Sequence, residues 1–279
     1  MGLAAAPASA ATVPLGYWLV TSSGGVLGYG PGSSELGSPK LGAVKLNSPL
    51  VGIAGTNDGK GYWLAGGDGG VFTFGDAAFY GSLGATRINA PVVGIASTPS
   101  GHGYWEAAAD GGVFTFGDAA FYGSLGASRI NAPVVGIAST PSGHGYWLVA
   151  ADGGVFTFGD AGYFGSIPGT GNPPSAPVVG IAPSADGGGY WLAGSDGSVS
   201  RFGDAIFYGS AVTSGLIPNS PIVAIAASPD GKGYWLVGGD GGIFGFGKIP
   251  YFGSLPGELA SGGLVLSSPV SVVGIAVIP

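Results

Sequence analysis

The sequence predicts an all-β fold: a six-bladed β-propeller with four-stranded antiparallel blades, its ring closed by a C-terminal strand that joins the N-terminal blade. Three observations predict it. The triplet Gly-Tyr-Trp begins at Gly16, Gly61, Gly103, Gly145, Gly189 and Gly233, so one motif returns six times at intervals of 42 to 45 residues. Each unit holds four short apolar runs bounded by Gly, Pro, Asp and Ser, the punctuation of strands and tight turns. The chain starts inside a unit, at its second run, and ends on a first run, Val272 to Ala276.

The runs are read in order. The first is Pro91-Val-Val-Gly-Ile-Ala96, which returns at Pro133, Pro177 and Pro221. Its small residues, such as Gly94 and Ala96, suit the crowded axis of a ring, so it is expected innermost. The alternative ring has the Gly-Tyr-Trp-Leu run innermost and no shared blade. The second run opens on Gly-Tyr-Trp, and all six tryptophans of the chain belong to these triplets. The third is Val-Phe-Thr-Phe, as at Val71 to Phe74, and the fourth is Phe-Tyr-Gly-Ser, as at Phe79 to Ser82. Asp-Gly pairs at Asp68, Asp110, Asp152, Asp196 and Asp240 separate the second and third runs. Such a pair is a hairpin signal, because both residues tolerate positive φ. Four strands in roughly 42 residues is the arithmetic of a propeller blade. A lone blade cannot bury both faces, and packing blades around an axis does.

Composition agrees with this and excludes several functions. Of 279 residues, 60 are Gly and 21 Pro, yet 46% are hydrophobic and only 8% charged. Many short strands and many turns satisfy both, whereas a disordered chain lacks the apolar surface. The net charge is −7 with eight Lys and Arg, so no basic face exists to displace counterions from nucleic acid. With no cysteine, disulfides and thiolate chemistry are absent. No apolar run approaches the roughly 18 residues of a membrane helix. Residues 1–12, with Ala8-Ser9-Ala10, read as a disordered leader or the small-residue end of a secretory signal, and residues 13–279 as the propeller.

The stretch Gly145 to Ser166, Gly-Tyr-Trp-Leu-Val-Ala-Ala-Asp-Gly-Gly-Val-Phe-Thr-Phe-Gly-Asp-Ala-Gly-Tyr-Phe-Gly-Ser, resembles the GYW-type tandem repeats of secreted actinobacterial proteins. At lower resolution it is similar to WD40 and NHL blades, best seen in Ser228-Pro229-Asp230-Gly231 and Asp240-Gly241, although the Trp-Asp dipeptide of WD40 repeats is absent. The resemblance covers nearly the whole chain after about residue 13. It implies a propeller outside the cell and carries no agreed activity. Such repeats accompany cell-wall or polysaccharide-acting modules.

No nucleophile elbow, His-Glu-x-x-His or phosphate loop is present. His102 and His144 share one turn position in two near-identical units, where other units carry Lys60, Gly188 and Lys232. They read as exposed turn residues or as proton-transferring bases. The tryptophans, Trp105 and Trp147 among them, read as core between blades or as a ring of sugar-stacking platforms. The Asp-Gly set and a second set, Asp76, Asp118, Asp160 and Asp204, read as turn-capping carboxylates or weak calcium ligands. Lys248 and Pro31 replace the second set elsewhere.

The departures from the repeat stand out more. Glu106 occupies the place of Leu19, Leu64, Leu148, Leu192 and Leu236. That position is expected to be partly exposed; the alternative is a buried general acid of raised pKa. Arg87 with Asn89, and Arg129 with Asn131, share one inter-blade loop and suit carboxylate or sulfate recognition. Arg201 lies within a third run. The expected function is an extracellular glycan- or cell-surface-binding module with no catalytic activity, no cofactor and no metal. The alternatives are a lyase or hydrolase of acidic polysaccharide, using Arg87 or Arg129 with Glu106, His102 or His144, and a protein-interaction scaffold.

Overall fold

The computed structural model describes residues 13–34, 36–39, 44–261 and 270–279. The expected leader, 1–12, lies outside the described residues. The strands in chain order are β1 (Gly16–Thr21), β2 (Val26–Tyr29), β3 (Leu50–Gly55), β4 (Gly61–Gly66), β5 (Val71–Gly75), β6 (Val92–Ser97), β7 (Gly103–Ala108), β8 (Val113–Gly117) and β9 (Val134–Ser139). They continue with β10 (Gly145–Ala150), β11 (Val155–Gly159), β12 (Val178–Pro183), β13 (Gly189–Gly194), β14 (Val199–Gly203), β15 (Ile222–Ala227), β16 (Gly233–Gly238), β17 (Ile243–Gly247) and β18 (Val272–Ile278). They form six three-stranded antiparallel sheets, each an open meander with its Gly-Tyr-Trp strand in the middle.

The first sheet has the order β18-β1-β2, so the last strand of the chain is the inner strand of the first blade. Gly16 stands opposite Ile278 and Trp18 opposite Ala276. The inner strands β18, β3, β6, β9, β12 and β15 lie beside one another in sequence around the axis. Gly94 lies against Ile137 of the next inner strand, 3.5 Å from where a Cβ would stand, an ordinary van der Waals distance.

Aromatic rings bind blade to blade. Trp18 meets Tyr62 at 5.1 Å between centroids, Trp63 meets Tyr104, Trp105 meets Tyr146, Trp147 meets Tyr190, Trp191 meets Tyr234, and Trp235 returns to Tyr17 at 5.9 Å. The cycle is complete, and these twelve rings are the largest fully buried side chains. Tilted and edge contacts of this kind add to the area they bury.

Each sheet has three strands where four were predicted. The fourth run joins no sheet. The third strand ends on a left-handed glycine, φ +68° at Gly117, and a Cβ there would lie 2.1 Å from the His102 carbonyl. The chain turns away, with the Asp118 N–H donating to that same carbonyl at 3.0 Å. A hydroxyl of the next blade then holds the departing segment. Tyr146 Oη donates to Gly123 O at 2.6 Å and accepts from Tyr122 N at 3.2 Å. Tyr104, Tyr190, Tyr234 and Tyr17 donate in the same way to Gly81, Gly165, Gly209 and Gly253. One N–H and one carbonyl of the segment are thereby committed to a neighbouring blade's phenol instead of a strand ladder.

The Asp-Gly hairpins differ in one detail. Their loops have three residues, closed by Gly69 N donating to Gly66 O, with Gly69 left-handed at φ +74°. Asp68 caps the loop, its Oδ1 accepting from Gly70 N at 3.0 Å, as expected of an Asx turn.

Removing one clamp tests this account. Tyr146→Phe keeps the ring and leaves the Gly123 carbonyl and the Tyr122 N–H without their partner. A loss of about 1–2 kcal/mol is expected, read as a lower midpoint in thermal unfolding. An unchanged midpoint would mean that packing alone holds the outer segment.

Candidate functional site

The meander sorts the expected residues by position. First-to-second-strand turns, such as Thr98–His102, lie at one end of the ring, and the Asp-Gly turns lie at the other. Each inter-blade loop returns to the Asp-Gly end, where Val134 N donates to Ala109 O.

His102 and His144 are exposed at the first end, their N–H groups donating to Ser100 and Ser142 Oγ at 3.1 and 3.0 Å. Arg87, Asn89, Arg129 and Asn131 are exposed in the loops at the opposite end. Glu106 is in the middle of β7, inside the ring wall. The structure therefore does not bring the arginines, the histidines and Glu106 together.

Two readings of the sequence need correction. Trp105 and Trp147 are 0% and 1% exposed. Their Nε1 atoms donate to Ala120 O and Gly162 O at 2.8 Å, and their rings meet the next blade's tyrosines. Buried to that extent, they have no free face for a sugar. Glu106 is not partly exposed: it is 0% exposed, and neither carboxyl oxygen has a hydrogen-bond partner. Tyr104, on the same face of β7, packs with Trp63, Ala65 and Val71 of the second blade. In the next seam Leu148 packs with Trp105, Ala107 and Val113. Glu106 thus fills a leucine's slot. Burial, and next the charge of Asp68, raise its pKa to about 8, so the side chain is a neutral acid at neutral pH.

The second aspartate set is structural. Asp118 accepts from Thr98 Oγ1 at 2.9 Å and from Ser100 Oγ, and Asp160 accepts from Thr140 and Ser142 at 3.0 and 2.6 Å. These bonds tie the start of the outer segment to the adjacent turn. Among the described residues, no three His, Asp or Glu side chains gather as a metal site would require. Arg201, opposite Trp191, is exposed, with Nη1 donating to Ala205 O at 3.4 Å.

The axis is lined by the Val-Gly-Ile stretches of the inner strands, for example Val93-Gly94-Ile95 and Val135-Gly136-Ile137. At the histidine end it opens into a cavity of about 590 Å³ lined by Asn57, Ser97, Ser139 and Pro183 among others. Among the described residues, no ionisable side chain lines the channel or this mouth.

The rim holds a feature that the sequence reading passed over. The outer segment exposes its first aromatic in five blades: Phe79 (60% exposed), Phe121 (59%), Tyr163 (59%), Phe207 (41%) and Tyr251 (61%). The next residue, such as Tyr80 or Tyr122, turns inward against the neighbouring blade's tyrosine. The signal was in the sequence. Blades four and six reverse Phe-Tyr to Tyr-Phe, yet an aromatic stays outside in both, and the hydroxyls of Tyr163 and Tyr251 donate to Ser166 and Ser254 Oγ at 3.1 and 2.9 Å. The backbone beneath each ring is fixed by the tryptophan bond on one side and the tyrosine clamp on the other.

Sheets and site together define a β-propeller with a repeated aromatic rim. A solved chain in the crystal structure of a nidogen/laminin complex is similar in fold, with a TM-score of 0.60, 10% identity, and coverage of 95% of this chain and 98% of that one. At that identity the likeness concerns the fold. No protein-family model matches the chain, and no curated protein does.

Proposed function

We propose that the chain is an extracellular, non-catalytic propeller that binds a glycan or another cell-surface polymer through its rim. One observation carries the reading: the same exposed aromatic stands at the same place on five blades. An exposed ring adds little to a core, and a ring on a pinned backbone is a stacking platform with less ordering entropy left to lose on binding. The resemblance to secreted repeats supports the extracellular placement. The separation of Arg87 and Arg129 from Glu106 and the histidines argues against the lyase or hydrolase alternative.

A second reading, a protein-docking scaffold, is favoured by a different observation. The loop after the fifth blade exposes Val212 (55%), Leu216 (48%) and Ile217 (92%), an apolar cluster of the kind that marks protein contacts. Titration of soluble polysaccharides by calorimetry separates the two. Glycan binding is expected at several sites per chain, and Phe79→Ala with Phe121→Ala and Tyr163→Ala should weaken it at least tenfold, about 1.4 kcal/mol. Zero stoichiometry across a broad polysaccharide panel would sink the rim reading.

A further inference from the structure

We infer that the rim selects a neutral polysaccharide over an acidic one, and that a single polymer chain engages neighbouring blades at once. The inference rests on the rim reading above and adds the chemistry of its ligand.

Four of the five platforms follow a carboxylate in the chain. Asp76, Asp118, Asp160 and Asp204 precede Phe79, Phe121, Tyr163 and Phe207 by three residues. Three residues of chain reach at most about 10 Å. The interval is pinned at both ends. In the third blade Asp118 N is held by His102 O at 3.0 Å, Ala120 O by Trp105 Nε1 at 2.8 Å, and Tyr122 N by Tyr146 Oη at 3.2 Å. Thr98 and Ser100 donate to the two carboxylate oxygens and hold the carboxylate at the adjacent turn, at the start of the outer segment.

Asp118 stays exposed. A carboxylate has about four lone-pair sites, and here two are taken, so acceptor capacity remains for hydroxyl donors. An exposed aromatic face with a hydrogen-bond acceptor three residues before it in the chain matches a sugar that offers a C–H face and free hydroxyls. A uronate or sulfate offers the same acceptor and the same charge as the aspartate, so it is repelled. The cations of the inter-blade loops do not offset this: Arg87 is eight residues beyond Phe79, at the Asp-Gly end of the blade. The sixth blade is a built-in contrast, since Lys248 stands at the aspartate position before Tyr251, its N–H bonded to Lys232 O in the same way. Equivalent platforms on adjacent blades then let one polymer bind at a second blade intramolecularly.

The experiment uses the full chain and matched polymers: hydroxyethylcellulose against carboxymethylcellulose, dextran against dextran sulfate, and galactomannan against pectin, by affinity electrophoresis and calorimetry. At least one neutral polymer is expected to bind about tenfold or more tightly than its acidic counterpart, with its short oligosaccharides weaker by about a hundredfold. Asp118→Asn with Asp160→Asn should narrow the neutral-to-acidic ratio. Lys248→Asp, a single substitution of an exposed side chain that leaves the backbone bond to Lys232 O in place, should widen it, which protects the test if the double variant unfolds. Acidic polymers bound as tightly as neutral ones, with binding still lost in Phe121→Ala, would overturn the charge inference and leave the rim reading standing. Equal affinity for polymer and fragment would overturn engagement of neighbouring blades. Binding that ignores every rim substitution, or no binding at all, would overturn the rim reading itself.

Discussion

Glu106→Leu is expected to stabilise the protein at pH 7, and wild-type stability is expected to fall as pH rises from about 4.5 to about 8. The carboxyl sits in a leucine-shaped slot with both oxygens unpartnered. Its folded pKa, about 8, is above its ordinary 4.5. The folded state therefore binds this proton more tightly than the unfolded state does. The favourable contribution is complete below about pH 4.5, declines as pH rises, and is exhausted once pH passes about 8. At 1.36 kcal/mol per unit, the full swing is about 5 kcal/mol, and some 3 kcal/mol of it is already lost at pH 7. Leucine removes that loss and restores apolar contact with Trp63, Ala65 and Val71, as Leu148 does in the next seam. Thermal unfolding at pH 5, 7 and 9 checks it. The wild-type midpoint should drop steeply over that range, Glu106→Gln should flatten the drop, and Glu106→Leu should raise the midpoint by roughly 5–10 °C at pH 7. Parallel profiles for wild type and Glu106→Gln would show that the acid is not the titrating group.

Deleting residues 270–279 is expected to abolish cooperative folding. β18 completes the first blade, and its residues serve two seams: Ala276 and Ile278 pack with Trp18 and Tyr62, while Val272 packs with Tyr17 and Trp235. Without it β1 loses a whole ladder and the axial ends of both neighbouring seams lie open to water. Burying a Val or Ile contributes about 1.5–3 kcal/mol, so losing several at once consumes most of a typical net stability. A circularly permuted chain that begins with β18 ahead of β1 should regain the transition. If the deletion retains a sharp thermal transition and its near-ultraviolet dichroism, the shared blade is dispensable.

The periodicity was legible because it rests on short-range chemistry. Left-handed glycines, Asp-capped turns and alternating apolar runs act within a few residues of one another, so the six units and the shared first blade could be read, whereas the Gly-Tyr-Trp run, read as the second of four strands, is the middle of three. The fourth run looked like a strand by composition. Its conformation is set by a tyrosine more than twenty residues away, and no local signal announces that. The same distance effect misplaced the platforms. Trp105 and Phe121 are both aromatic and both recur, but only the stacking of one blade on the next decides which is enclosed. Trp105 faces Tyr146, while Phe121 follows a carbonyl held by Trp105 and is left outside.

Glu106 shows the division most clearly. The ring follows from the order of residues alone: the number of units, the turn chemistry, and the position where one unit puts a carboxyl in place of leucine. Which groups water reaches follows from packing between blades. Exposure belongs to the seam between two blades rather than to either blade, so the buried acid, the enclosed tryptophans and the aromatic rim appear once neighbouring units have packed.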